Sequence, residues 1–233
     1  MRTDQNIGSR LLSALPFVTE NGVVADIGTD HAYLPIALIE GGLCRAAVAC
    51  DINFGPIESA RRNIEVRGLS DRIATLQTDG LHGVEAYAPT DVLIFGMGGE
   101  LIVRILSEAP WLTEKGVNLI LQPMSRGELL RRWLLENGFA ILNEALTYED
   151  QYYQTIHARY CGNLEKYTEE ELYLGRHILN GTSPLLEGYL KRRLSVLRRI
   201  VEGKQKGAVN ASEEEALIAA ITQRLKRLKR EER

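Results

Sequence analysis

Between residues 23 and about 161, short and almost unbroken apolar runs alternate with segments in which apolar residues recur every three or four positions. The runs at 23–28, 46–51, 73–79, 91–97 and 117–123 are almost continuously apolar, which predicts strands covered on both faces. The 3.6-residue period between them predicts helices. Residues 55–67 show it best: Pro56 suits the first helical position, Ile57, Ala60 and Ile64 share a face, and Gly68 supplies the stop. Strand and helix in alternation predict a parallel sheet wrapped by helices. After a helix at about 126–137, residues 139–147 and 152–160 read as two more strands. Their link, Tyr148-Glu149-Asp150-Gln151, is too short for a parallel crossover, so they should pair antiparallel.

The pattern changes near Asn163. Thr168-Glu169-Glu170-Glu171 and Ser212-Glu213-Glu214-Glu215 both have the capping-box form, and Ser183-Pro184 opens another helix. Within that helix Leu186, Leu190, Leu194, Leu197 and Val201 form a stripe, and Leu217, Ile221, Leu225 and Leu228 form a second one. A turn at 204–210, containing Gly207, would let the stripes face each other in an antiparallel hairpin. Its longer arm, taken as about 19 residues, would reach roughly 28 Å. The expected division is therefore 1–163 for the α/β body and 164–233 for a helical domain.

Composition narrows the class. At 233 residues with 45% hydrophobic side chains and 7 prolines, the chain can build a core, which excludes a disordered or collagen-like polymer. The apolar runs are far shorter than the roughly 20 residues of a membrane span, and the start is too polar for a signal peptide. The expectation is a cytoplasmic protein with no membrane partner. Cys44, Cys50 and Cys161 fit no CxxC pattern and lie in or near apolar runs, so they read as small packing residues, with no disulfide framework and no metal site. The net charge of −3 conceals an asymmetry: residues 1–164 hold 13 basic and 20 acidic side chains, and 165–233 hold 15 and 11. A basic tail on an acidic body suits a polyanionic partner for the tail, although a solvated helix face would produce the same tally.

The first strand ends Ala25-Asp26-Ile27-Gly28-Thr29-Asp30-His31-Ala32 and the second ends Ala49-Cys50-Asp51. A glycine turn and an acid at neighbouring strand tips mark the edge where an open α/β sheet binds a nucleoside, the acid accepting from both ribose hydroxyls. A dinucleotide would require GxGxxG, and here Asp30 stands at the second glycine position, where it would repel a pyrophosphate and attract a cation. No GK[ST] of a P-loop occurs. S-adenosylmethionine fits: it has no phosphate, a positive sulfur and a ribose diol for Asp51. Asp79 with Gly80 ends the third strand, where a carboxylate can reach an adenine amino group, and Gly96-Met97-Gly98-Gly99 after the fourth leaves room for a methyl group and its acceptor. His31 reads equally as a turn residue or a catalytic one. Tyr152 and Tyr153 lie on opposite faces of a strand, which should bury one and expose the other.

Taken in order, residues 24–34 (Val-Ala-Asp-Ile-Gly-Thr-Asp-His-Ala-Tyr-Leu), Asp51-Ile52-Asn53 with Ala60, Asn63 and Gly68-Leu69, Asp79-Gly80-Leu81, Gly96-Met97-Gly98-Gly99, Leu121-Gln122-Pro123, Glu149-Asp150-Gln151-Tyr152-Tyr153 and Glu171-Leu172-Tyr173-Leu174-Gly175 closely resemble the bacterial tRNA adenine-22 N1-methyltransferases. The resemblance spans about residues 7–230. It implies an α/β fold with a Rossmann-like class I methyltransferase sheet of order 3-2-1-4-5-7-6, followed by a C-terminal helical, coiled-coil-like domain. It also implies S-adenosylmethionine as cofactor and tRNA as partner. Asp30 and Ala32 replace the later glycines of the wider class I pattern.

Under this reading Asp26, Gly28, Asp51, Ile52, Asp79, Gly80, Gly96 and Met97 are expected to bind cofactor. Asp30, His31, Gln122 and Tyr153 are the catalytic candidates. Tyr33, Gly98, Gly99, Tyr152, Lys191, Arg192, Arg198, Arg199, Lys226 and Arg227 are expected to meet substrate, the basic ones through phosphates, together with Arg193, Lys204, Lys206, Arg224, Lys229 and Arg230. A monomer is expected, with dimerisation through the hairpin as the alternative. A small-molecule methyltransferase and a nonenzymatic tRNA-binding module are the rival classes.

Overall fold

In the computed structural model, which describes residues 8–114 and 116–231, seven strands form one sheet of order β3-β2-β1-β4-β5-β7-β6. The strands are β1 (Gly22–Ile27), β2 (Cys44–Asp51), β3 (Ile73–Gln77), β4 (Asp91–Gly98), β5 (Asn118–Ser125), β6 (Phe139–Tyr148) and β7 (Tyr152–Tyr160). The first five pair in parallel, whereas β7 is antiparallel to both β5 and β6, as the short link required. Consequently β6 runs with the parallel strands, and the β6–β7 turn reaches the same edge as their carboxyl ends. The opening residues read as too polar for a signal peptide lie mostly outside the described residues.

Helices α1 (Ser9–Leu12), α2 (Tyr33–Glu40), α3 (Phe54–Val66), α4 (Gly99–Ser107) and α5 (Gly127–Glu136) belong to this part of the chain. Ile57, Ala60 and Ile64 of α3 are buried as their spacing required, each large side chain contributing about 1.5 to 3 kcal/mol. The helix begins earlier than expected: Asn53 is the N-cap, so Pro56 is its third residue. The third strand also departs from expectation. It ends at Gln77 and is half-buried, because an edge strand lacks a neighbour on one side. At the opposite edge from the strand tips, fully buried Asp91 accepts from the Thr19 hydroxyl at 2.9 Å, the Thr90 hydroxyl at 2.6 Å and Asn118 Nδ2 at 3.0 Å. Cys44 and Cys50 are buried, but Cys161 is exposed after the end of β7, so it is not a core residue.

The chain divides into two compact units between Lys166 and Tyr167. The second contains α6 (Glu169–Leu174), α7 (Arg176–Asn180), α8 (Leu186–Lys206) and α9 (Ser212–Glu231). Thr168 and Glu171 form the expected capping box. At α9 the cap differs: Ser212 is the first helical residue, and its N–H is taken by Asn210 Oδ1 at 2.9 Å. Helix α8 starts at Leu186, beyond Ser183-Pro184, and runs 21 residues. All five residues of its apolar stripe are buried, while on α9 Ile221 is buried and Leu217, Leu225 and Leu228 are half-buried. Lys204 near the end of α8 meets Glu214 near the start of α9 at 2.7 Å, as an antiparallel hairpin requires.

Arg131 of α5 and Glu144 of β6 form an ion pair at 2.6 Å whose side chains are both wholly buried, and Gln154 of β7 accepts from the same guanidinium. Removing one partner leaves an uncompensated buried charge. Glu144→Ala should lower unfolding free energy in urea by about 3 to 5 kcal/mol, whereas the double change Arg131→Met, Glu144→Leu should cost less than the single one. A double variant as unstable as Glu144→Ala would contradict this account.

Candidate active site

The five parallel strands bring their carboxyl ends to one edge, and most of the residues singled out in the first unit collect there. Gly28 follows β1 with φ +79°, and a Cβ on it would lie 2.4 Å from Met97 Cε. A side chain at this point would be strained by that backbone conformation and would displace the Met97 methyl, the movable end of its side chain. Asp30 and Ala32 also have positive φ, +52° and +57°, which for Ala32 costs roughly 1 kcal/mol. The surroundings hold the loop in this form: Gly28 and Thr29 donate to the Cys50 carbonyl at 2.8 and 2.9 Å, and Asn63 Nδ2 of α3 donates to the His31 carbonyl at 3.0 Å. The His31 ring is left facing outward, 3.4 Å from Asp30 and 5.2 Å from the half-exposed ring of Tyr33 at the start of α2.

Beneath this loop the electrostatics are lopsided. Asp26 is buried, and the Thr29 hydroxyl donates to it at 2.6 Å. Burial, with a smaller contribution from the charge of Asp51, pushes the Asp26 carboxyl up to about 6. Burial and the same two acids push the Cys50 thiol up as well. Asp51 uses Oδ1 to accept from the Asn53 N–H at 2.8 Å, and Oδ2 has no hydrogen bond among the described residues. Ile52 and Phe54 beside it are exposed apolar side chains, at 55% and 64%. No basic side chain is paired with Asp26 or Asp51 among the described ion pairs. Such a mouth suits a cation carrying a diol and an apolar ring; it does not suit a phosphate.

Asp79 lies just beyond the third strand and is gripped by Arg104 of α4, at 2.9 Å to Oδ1 and 3.3 Å to Oδ2. That pairing holds its carboxyl below the usual range. Gly80, at φ +60°, packs on Ile105. At the tip of β4 the glycines differ in role. Gly96 has φ +78° and a Cβ on it would make an ordinary contact with Arg10 Nη1 at 3.5 Å, whereas a Cβ on Gly99 would lie 2.4 Å from the Arg126 carbonyl. Gly99 is thus required by the packing of α4 on the β5–α5 turn.

On the other side of β4, Gln122 of β5 is fully buried. Tyr153 of β7 is also buried and donates its hydroxyl to Asp150 Oδ1 at 2.6 Å, a bond that holds Tyr153 protonated and keeps Asp150 ionised. Tyr152 is half-buried and its ring lies 4.9 Å from that of exposed Tyr148. Arg10 of α1 completes this side: its guanidinium donates to Gln122 Oε1 at 3.0 Å and lies 5.7 Å from the Tyr153 ring centre. Sequence reasoning passed over Arg10, and no local motif marks it. Among the described residues no group of three or more His, Cys, Asp or Glu is arranged to hold a metal.

A family model described as tRNA (adenine(22)-N(1))-methyltransferase matches residues 24–229. The chain belongs to this family. The Bacillus subtilis tRNA (adenine(22)-N(1))-methyltransferase is 35% identical over 144 residues, which is 62% of this chain and 60% of that protein. A Streptococcus pneumoniae protein provisionally assigned as a tRNA (m1A22) methyltransferase and solved with S-adenosyl-L-methionine is 32% identical, with a TM-score of 0.83 over 94% of this chain and 99% of the other. The Mycoplasma capricolum TrmK structure, solved with S-adenosyl-homocysteine, is 28% identical, with a TM-score of 0.74 over 96% of each chain.

The second unit of this family member carries the basic side chains, and the structure sorts them. Lys204 is paired with Glu214, Arg224 with Glu170 at 3.3 Å, and Arg193 lies 3.8 Å over the Tyr173 ring, so these three, expected to meet phosphates, hold the helices together instead. Lys191 pairs with Glu187 at 2.8 Å but stays 57% exposed. Arg192, Arg198, Arg199, Lys226 and Arg227 are exposed. Lys191, Arg198 and Arg199 share one face of α8 around a hollow of about 450 Å³, together with Leu194, Ser195 and Glu202.

The buried acid gives a signed prediction. With its native value near 6 and an unfolded value of 3.8, Asp26 binds its proton more tightly when folded, so stability should fall as pH rises through that window. Relative to Asp26→Asn, the wild type should lose about 1 to 3 kcal/mol between pH 4 and pH 7 in paired urea titrations. Parallel profiles for the two proteins would refute the desolvation argument.

Proposed function

We propose that this chain is an S-adenosylmethionine-dependent methyltransferase acting on N1 of adenine 22 in tRNA. The observation that carries the proposal is the acidic, phosphate-averse mouth at Asp26, Asp30 and Asp51, within a chain of that family. When bound, S-adenosylmethionine supplies a methyl group on a positively charged sulfur. Asp51 would accept from the ribose diol through its unoccupied oxygen, Ile52 would cover the adenine ring, and Asp79, steadied by Arg104, would accept from the adenine amino group beside Gly80. Asp26 would act from below, as buried negative charge that also fixes Thr29. Gly28, Gly96 and Met97 would shape the space between donor and acceptor.

The target adenine needs no general base, because its N1 lone pair is free in the neutral base. N1 forms its bond to the methyl carbon as the carbon–sulfur pair stays on sulfur, and the base becomes a cation that sheds a proton later. The protein's part is alignment and exclusion of water. N1 is blocked in a paired base, so the adenine must be unpaired or extruded. Asp30, His31, Tyr33, Gly98, Gln122, Tyr152 and Tyr153 are the groups proposed to receive it. The body would bind the cofactor, and residues 164–233 would bind tRNA through Lys191, Arg192, Arg198, Arg199, Lys226 and Arg227. The chain would work as a monomer in the cytoplasm.

Methyl transfer from radiolabelled cofactor should occur to a transcript with adenine at position 22 and not to one with guanine there; equal labelling of both would defeat the assignment. Cofactor affinity should rise as pH increases through about 6, because ionised Asp26 favours a cation, and calorimetry showing no change between pH 5 and 7 would count against that role. Arg198→Glu with Arg199→Glu should weaken tRNA binding at least tenfold and flatten its salt dependence while sparing cofactor affinity. Unaltered tRNA binding would place the phosphate contacts elsewhere.

A further inference from the structure

Helix α1 is fastened to the β6–β7 turn. Ser9 Oγ donates to the Tyr148 carbonyl at 3.3 Å, and the Arg10 N–H donates to Glu149 Oε2 at 3.1 Å. From there the Arg10 side chain reaches the mouth of the sheet, where a Cβ on Gly96 would lie 3.5 Å from its Nη1. The same Nη1 donates to Gln122 Oε1 at 3.0 Å.

This contact decides the direction of the Gln122 amide. A guanidinium carries donors only, so the atom it meets must be the carbonyl oxygen. The amide nitrogen is therefore turned away from Arg10. Gln122 is fully buried, and its Nε2 has no hydrogen-bond partner among the described residues. A buried N–H group without a protein acceptor is unusual in a native fold, and a ligand or an ordered water would supply one. The Oε1 atom retains a second lone pair.

We propose that Arg10 is a positioning residue that sets the Gln122 amide to read the N7/N6 edge of the target adenine. Nε2 donates to N7 and Oε1 accepts from the N6 amino group, while N1 faces the methyl group. This rests on the adenine-N1 reading above. Of the acceptors on adenine, N1 is consumed by the reaction and N3 lies away from the amino group, whereas N7 and N6 together match a glutamine side chain. Guanine presents an oxygen at the N6 position, and that oxygen would meet the Oε1 lone pair. Without Arg10 the amide is free to turn over, presenting oxygen to N7 and losing the match.

The test uses full-length enzyme and two tRNAs that differ only at position 22, one with adenine and one with 7-deazaadenine, which lacks the N7 acceptor. Wild type should lose about 5- to 150-fold in kcat/KM on the 7-deaza substrate. Gln122→Met should treat the two substrates alike. Arg10→Met should lose most of the discrimination, and Arg10→Lys, still a pure donor, should recover part of it. The double variant Arg10→Met, Gln122→Met should be no slower than Gln122→Met alone, with cofactor affinity by calorimetry unchanged throughout. Wild type that methylates both tRNAs equally fast would overturn the proposal without any variant, as would single effects that multiply in the double variant. Wild type that leaves the adenine-22 tRNA unmethylated would instead overturn the underlying reading, and this proposal with it.

Discussion

Negative charge held out of water without a cation beside it is the constraint around which the sheet edge is organised. Asp26 is buried under its own loop, where the Thr29 hydroxyl is its one hydrogen-bond donor among the described residues, and Asp51 lies close enough to raise its proton affinity further. An arginine nearby would relieve this, as Arg104 pairs with Asp79, although that carboxylate is exposed. Among the described residues no cation compensates the charge here, which leaves the mouth ready for a positive ligand and hostile to a phosphate. Gly28 and the left-handed Asp30 and Ala32 fit the same picture: the chain turns tightly over the acid and leaves Met97 of β4 in close approach.

The two halves of the mouth differ in chemistry. On the side of β1, β2 and β3, carboxylates and exposed Ile52 dominate, which matches a cationic nucleoside. On the side of β5 and β7, the buried Gln122 amide accepts from the Arg10 guanidinium, which lies 5.7 Å from the ring centre of Tyr153, and that tyrosine donates to Asp150. Antiparallel β7 produces this asymmetry, since it carries the 148–152 turn to the same edge as the parallel strand tips and gives α1 something to grip. The Gly96-Met97-Gly98 loop at the tip of β4 stands between the halves.

In the helical unit, charge serves two ends. Glu170, Glu171 and Glu214 hold Arg224, Arg176 and Lys204, joining helices to one another. Arg193 packs over Tyr173, and the other basic side chains on α8 and α9 stay exposed, where a polyanion would find its partners. A count of lysines and arginines therefore overstates the positive charge left open to a partner.

The sequence by itself determined the order of elements, a parallel sheet followed by an antiparallel pair and the location of the strand-tip acids, because nearly continuous apolar runs, short links and glycine stops are local signals with few solutions; the strand order followed from the family resemblance. It also marked both helical stripes and the capping box at Thr168. Tertiary structure alone decided what each polar group meets. That Asp79 is gripped by Arg104, that Gly99 answers to the Arg126 backbone, that Lys204 is committed to Glu214 and that Arg10 lies against Gln122, 112 positions away, all depend on separations no local pattern encodes. Periodicity tells where a side chain points relative to its own element, whereas hydrogen-bond partners and proton affinities follow from which elements are brought together in space.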